Sequence, residues 1–183
     1  MLKRRVGFSL AEALIALAII ATMAAVLYPA MSAQLRKGQS TAVASTLTNL
    51  RDAIVAYRGN VADYPRTLSL LTNAPTVTAT DACGNVLTAA QRNAWRGPYL
   101  TQNVSGSVTM ADGTALDTLI RTPATDAATA PGTLTIRVIN IDSTVAVDVD
   151  RQYDGTVDLT SGIILWNSAG SDTLKFIISI RNC

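Results

Sequence analysis

Glu12 is the sole charged side chain between Phe8 and Met31, in a run otherwise made of Leu, Ile, Ala, Val and a few small polar residues. A helix of about 20 apolar residues crosses a bilayer core, and this run is long enough to do so. A carboxylate in such a helix is costly unless it meets a partner, so its chemistry is ionic pairing. Lys3, Arg4 and Arg5 stand just ahead of the run. Basic residues at that edge hold the N-terminus in the cytoplasm and send the rest of the chain across.

Histidine is absent from all 183 residues. That removes the commonest general base, the usual partner of a nucleophilic Ser or Cys, and the commonest zinc ligand. Carboxylate or Ser–Lys chemistry would need a clustered motif, and none stands out. The expectation is a protein that is not an enzyme.

A second group of candidate residues is acidic. Asp150, Gln152, Asp154, Gly155 and Asp158 echo part of a calcium loop, with oxygen ligands at alternating positions and glycine at the sharp turn. The closing glutamate of such a loop is missing, and Ser161 stands in its place. A plain solvated hairpin accounts for the same residues.

These residues require elements to position them. Val43, Leu47, Leu50, Ile54 and Tyr57 advance by three and four, which predicts an amphipathic helix with a stop near Gly59-Asn60. Val61 to Pro131 reads as a long mixed connection. Within it, Tyr64–Leu71 reads as an extended entry into a short helix, a further short helix is expected at Ala89–Trp95, and a hairpin near Asp112-Gly113. Gly97-Pro98 predicts a turn pinned to the core by Trp95 and Tyr99. Toward the C-terminus, Leu134–Ile141, Val145–Asp150, Thr156–Leu159, Gly162–Trp166 and Leu174–Ile180 read as antiparallel strands, with Asp154-Gly155 as a hairpin turn.

The segment Gly7-Phe8-Ser9-Leu10-Ala11-Glu12-Ala13-Leu14-Ile15-Ala16-Leu17 resembles the processing signal of type IV pilins and type II secretion pseudopilins. The resemblance covers about the first thirty residues. It implies cleavage by a prepilin peptidase between Gly7 and Phe8, followed by N-methylation of Phe8. Glu12 and Pro29 then fall where many pilins carry a glutamate and a proline. The cationic Phe8 amine and the Glu12 carboxylate would pair, and the resemblance implies that they do so between neighbouring subunits during assembly. Pro29 lacks an amide hydrogen and is expected to kink or locally melt the helix. An ordinary secretory signal cut near Ala16-Leu17-Ala18 competes, but does not explain Glu12 or the length of the run. A plain anchor leaves Gly7-Phe8 unexplained, and no cysteine lies near the run to make a lipoprotein.

The expected architecture is α+β and pilin-like: a long N-terminal helix, half in the membrane and half amphipathic, packed on a C-terminal antiparallel sheet of about four strands. Residues 1–7 form the leader, 8–31 the transmembrane and assembly half of the helix, and 32–183 the periplasmic or extracellular domain. Removing Lys3, Arg4 and Arg5 leaves 12 basic against 13 acidic side chains, so no basic bias points to nucleic acid. Cys83 and Cys183 are the two cysteines of an exported chain and are expected to pair. Trp95-Arg96-Gly97-Pro98-Tyr99-Leu100 resembles a segment that follows the long helix in major pseudopilins, although their downstream Asp-Pro-Trp-Gly type of motif is missing.

The resemblance therefore implies a structural filament subunit, anchored in a bacterial inner membrane and then polymerised. Its partners would be copies of itself, other pilins or pseudopilins, the prepilin peptidase, a platform protein, an assembly ATPase, and membrane lipid before assembly. The alternative is a minor pilin that displays a binding module for adhesion or DNA uptake. No cofactor is expected apart from calcium at Asp150, Asp154 and Asp158, which some pseudopilins bind near their C-terminal loops.

Overall fold

The computed structural model describes residues 9–101, 108–109, 114–122, 131–167 and 172–180. The chain divides into two compact units, Met1–Gly38 and Gln39–Cys183. One helix, α1 (Leu10–Val61), runs through the boundary.

In the first unit α1 is exposed on every side, with Leu14, Ile15, Leu17, Ile19, Ile20, Met23 and Leu27 all open to the surroundings. Pro29 does not melt the helix, because helical turns continue through it without a break. A proline removes one amide donor, and the Ala- and Leu-rich turns around it carry strong helical preference. The Ser32 hydroxyl also donates to the Pro29 carbonyl at 3.0 Å.

The second unit forms a core on the predicted stripe. Val43, Leu47, Ile54 and Tyr57 are fully buried and Leu50 nearly so. Burial of each such side chain contributes about 1.5–3 kcal/mol. The helix passes Gly59-Asn60 and stops at Val61, where Ala62 turns left-handed (φ 62°).

A 3-10 turn (Leu68–Leu71) and a short helix α2 (Ala89–Ala94) follow. Thr88 and Gln91 close a reciprocal capping box at the start of α2. Strands β1 (Val108–Thr109) and β2 (Ala115–Leu116) pair antiparallel on either side of the predicted Asp112-Gly113 turn, which lies outside the described residues.

Among the described residues the sheet has five antiparallel strands in the order β1-β2-β3-β5-β4, with β3 (Thr133–Ile139), β4 (Ile164–Asn167) and β5 (Thr173–Ser179) as its long members. In the β3–β5 register Ile136 lies opposite Phe176 and Val138 opposite Leu174. All four are buried, in one cluster with the α1 stripe. The long helix packed on an antiparallel sheet is the α+β architecture expected.

Two strands expected from the sequence are not strands. Val145–Asp150 belongs to helix α3 (Ser143–Asp154), and Thr156–Leu159 is a loop. Asp142 caps α3, accepting from the Thr144 amide at 2.8 Å, and Gly155 ends it in the left-handed region (φ 75°). The alternating valines misled because the buried face is Val145, Ala146, Val149 and Asp150, a helical spacing. Asp154-Gly155 is therefore a helix terminus and not a hairpin turn.

Candidate functional site

Gly7 and Phe8 lie outside the described residues. Two residues on, the Ser9 amide donates to the Glu12 carboxylate at 3.3 Å, a local bond in the first turn of α1. The Glu12 side chain makes no salt bridge among the described residues. It stands on a helix whose apolar side chains are bare along the whole run, so carboxylate and apolar surface present one continuous face for burial elsewhere. A helix that is apolar all round is stable only when lipid or other helices cover it.

The structure brings the three acidic candidates together at the C-terminal end of α3. Asp150 is fully buried; its Oδ2 accepts from the Asp158 amide at 2.8 Å, while its Oδ1 has no partner. Burial pushes its carboxyl above the ordinary carboxylate range, and the nearby carboxylates of Asp154 and Asp158 push the same way. Asp154 accepts the amides of Ile163 and Ile164 at 3.0 and 3.1 Å, which aligns β4. Asp158 accepts from the Thr160 amide and from the hydroxyls of Thr160 and Ser161. Those donors, the Ser161 hydroxyl foremost, hold its carboxyl down at about 2. Ser161 thus donates to a carboxylate where a calcium loop would supply its closing glutamate. Gln152 points elsewhere, its amide donating to Ser40 of α1 at 3.4 Å.

Trp95 and Tyr99 hold the Gly97-Pro98 turn as expected. Their rings meet edge-on at 5.8 Å, Tyr99 meets Tyr57 at 5.7 Å, and the Trp95 indole donates to the Leu70 carbonyl at 3.0 Å. The peptide between Gly97 and Pro98 is cis.

Sequence reasoning missed a second carboxylate pair, Asp63 and Asp81. Their oxygens lie with the Cys83 sulfur in one group, all within 4.8 Å of one another. The residues are 18 apart with no motif between them, so only the folded chain brings them together. There is no free thiol among the described residues. Cys183 lies outside them, so its pairing with Cys83 stays a proposal.

Residues 2–28 match the prokaryotic N-terminal methylation motif, the signal of type IV pilins and pseudopilins. No curated protein and no solved structure matches the chain.

Proposed function

We propose that this bearer of a prokaryotic N-terminal methylation motif is a structural subunit of a type IV pilus or type II secretion pseudopilus. The observation that carries the reading is the motif at residues 2–28 on a helix whose apolar side chains are uncovered and broken by a single carboxylate. A prepilin peptidase cuts between Gly7 and Phe8 and methylates the Phe8 amine. The chain waits in the bacterial inner membrane through residues 8–31, with the globular domain outside the cytoplasm. An assembly ATPase and a platform protein then transfer it into a periplasmic or extracellular filament with other pilins.

The driving physics is exchange of one apolar environment for another. Lipid around α1 is replaced by neighbouring helices, and the Phe8 ammonium of one subunit meets Glu12 of the next. Burying two opposite charges together avoids leaving either uncompensated, which would cost several kcal/mol. The pair therefore fixes register more than it supplies affinity.

Two finer assignments accompany this reading. A Cys83–Cys183 bridge ties the loop after α1 to the C-terminal segment, consistent with the lack of a free thiol among the described residues. Calcium at Asp150, Asp154 and Asp158 is supported by the buried, unpartnered Asp150 Oδ1 with two carboxylates beside it. Hard oxygen ligands of this kind suit calcium.

Intact mass and N-terminal fragmentation of the protein from membranes and sheared filaments test the reading. A chain beginning at methylated Phe8 is expected. One beginning near Ala18 would mean ordinary secretion and would remove Glu12 along with the assembly mechanism.

A further inference from the structure

Beside the 3-10 turn the second unit carries a polar cavity of about 370 Å³. The turn supplies Thr67, Ser69 and Asn73, and the loop that follows supplies Thr76, Thr78 and Thr80. Arg66 joins the lining, and no acidic side chain takes part among the described residues. Backbone bonds fasten both segments. The Leu68 amide donates to the Thr118 carbonyl at 2.9 Å and the Asn73 amide to the Ser69 carbonyl at 2.8 Å. In the loop, the Ala79 amide donates to the Thr76 carbonyl at 3.1 Å, and the Ala79 carbonyl accepts the Leu87 amide at 2.9 Å. A ligand entering such a cavity pays little for ordering its walls.

The lining holds unspent hydrogen-bonding capacity. The hydroxyls of Thr67 and Ser69 pair at 2.8 Å, and those of Thr76 and Thr78 at 3.3 Å. Each pair has two hydroxyl hydrogens and uses one, so each leaves a donor over. The Thr80 hydroxyl has no partner among the described residues. Asn73 donates to the Thr72 hydroxyl at 3.1 Å, which leaves its side-chain carbonyl as an acceptor.

Arg66 is the independent observation. It is half-buried, as are Arg92, Arg121 and Arg137. Arg92 donates to the Leu87 carbonyl, Arg121 pairs with Asp117 at 2.8 Å, and Arg137 is also engaged. Among the described residues Arg66 alone of these four has no hydrogen bond or ion pair for its guanidinium. Its Nη1 lies beside Gly84, 3.7 Å from where a Cβ on that glycine would stand. Nothing holds it there, and its long stem is free to carry the fork over the cavity.

A guanidinium fork matches the two oxygens of a carboxylate. Mixed hydroxyl and amide groups match the hydroxyls of a sugar, and Ala74 and Ala79 offer its C–H face a small apolar surface. We propose that this cavity binds an acidic sugar, a uronate unit of a polysaccharide, with Arg66 on the carboxylate and the hydroxyls of Ser69 and Thr80 on the ring. A ligand of that size in so small a site predicts a dissociation constant of about 1 mM. Copies repeated along the filament proposed above would hold a long polymer far more tightly, and that step alone rests on the filament reading.

The test uses the processed protein as single subunits in detergent, so it is independent of assembly. Calorimetric titration and amide shifts follow glucuronate, glucose and sulfate in the wild type, Arg66→Gln, Thr80→Val and Arg51→Gln, each checked for fold by circular dichroism. Glucuronate should shift the Ser69 and Thr80 amides. Arg66→Gln should weaken it at least tenfold and Thr80→Val about fivefold. Arg51→Gln, an exposed arginine of α1 outside the cavity, should leave it unchanged. Should Arg66→Gln fail to fold, Thr80→Val decides alone, because it removes a hydroxyl bonded to nothing. No glucuronate binding by the folded wild type, or binding indifferent to these two cavity variants, would overturn the proposal. Glucose binding as tightly as glucuronate would overturn the role of the carboxylate. Sulfate binding as tightly, with no effect of Thr80→Val, would overturn it in favour of a plain anion contact.

Discussion

The Tyr153 hydroxyl donates to the Ala44 backbone carbonyl at 2.8 Å and lies 2.7 Å from the Thr48 hydroxyl. A helix that the sequence reads as a strand is thereby fastened to α1, the element that carries the rest of the core. The Tyr153 ring also meets that of Phe176 at a tilt, with centres 5.2 Å apart, so one side chain touches α1 and β5 together. Tyr153→Phe keeps the ring and removes the bond. The expected loss is about 1 kcal/mol, measured as a lower midpoint in urea with an unchanged slope.

Gly162 has φ 101°, and a Cβ there would run into the Asp154 carboxylate. That carboxylate already holds the amides of Ile163 and Ile164 at the start of β4. Gly162→Ala should destabilise the domain by about 1–3 kcal/mol. Exchange protection at the Ile163 and Ile164 amides should fall before that of β3. Equal protection throughout would show that the loop gives way at no cost.

Stability should respond to pH in two opposite windows. The carboxyls of Asp63 and Asp150 are raised above the ordinary carboxylate range, burial being the main cause in each. Groups of this kind add stability that is full below the unfolded value and lost as pH rises through the folded value. Asp158 is lowered to about 2, so its contribution is present above the unfolded value and lost as pH falls toward 2. Without divalent metal, the melting temperature should rise on acidification from neutral pH toward about 4 and fall below it. Asp150→Asn should flatten the upper arm; an unaltered upper arm in that variant would rule out the buried acid as its source.

Removing the charge at residue 12 should separate processing from assembly. Glu12→Ala is expected to reach the membrane and be cut after Gly7, yet to be missing from the sheared filament fraction. Mass spectrometry of both fractions checks this. Wild-type amounts of the variant in filaments would mean that the Phe8 amine needs no partner there.

Reduction of the Cys83–Cys183 pair should cost about 4 to 5 kcal/mol in the chain-entropy account of a loop near a hundred residues. Thiol labelling of the oxidised chain should find no reactive cysteine, and a reductant should lower the melting temperature of the globular domain. Two reactive thiols in the oxidised preparation would refute the bridge.

The membrane segment, the Glu12 position and the core stripe from Val43 to Tyr57 follow from sequence alone, because each depends on spacing within one continuous helix. Trp95 and Tyr99 were legible for a similar reason: a Gly-Pro turn flanked by large aromatics has few places to go. Tertiary structure decided the rest. Val145, Val147 and Val149 alternate like a strand, but the Asp142 cap, the Gly155 terminus and burial against α1 make that stretch helical. Local propensity is a weak prior there, and packing overrides it. The acids of the α3 loop were identified by type, yet their work as amide and hydroxyl acceptors depends on β4 folding back beside them. Asp63 and Asp81 meet only when the loop closes against the end of α1. Contact between distant residues leaves no periodic trace in a chain, so that pair belongs to the fold.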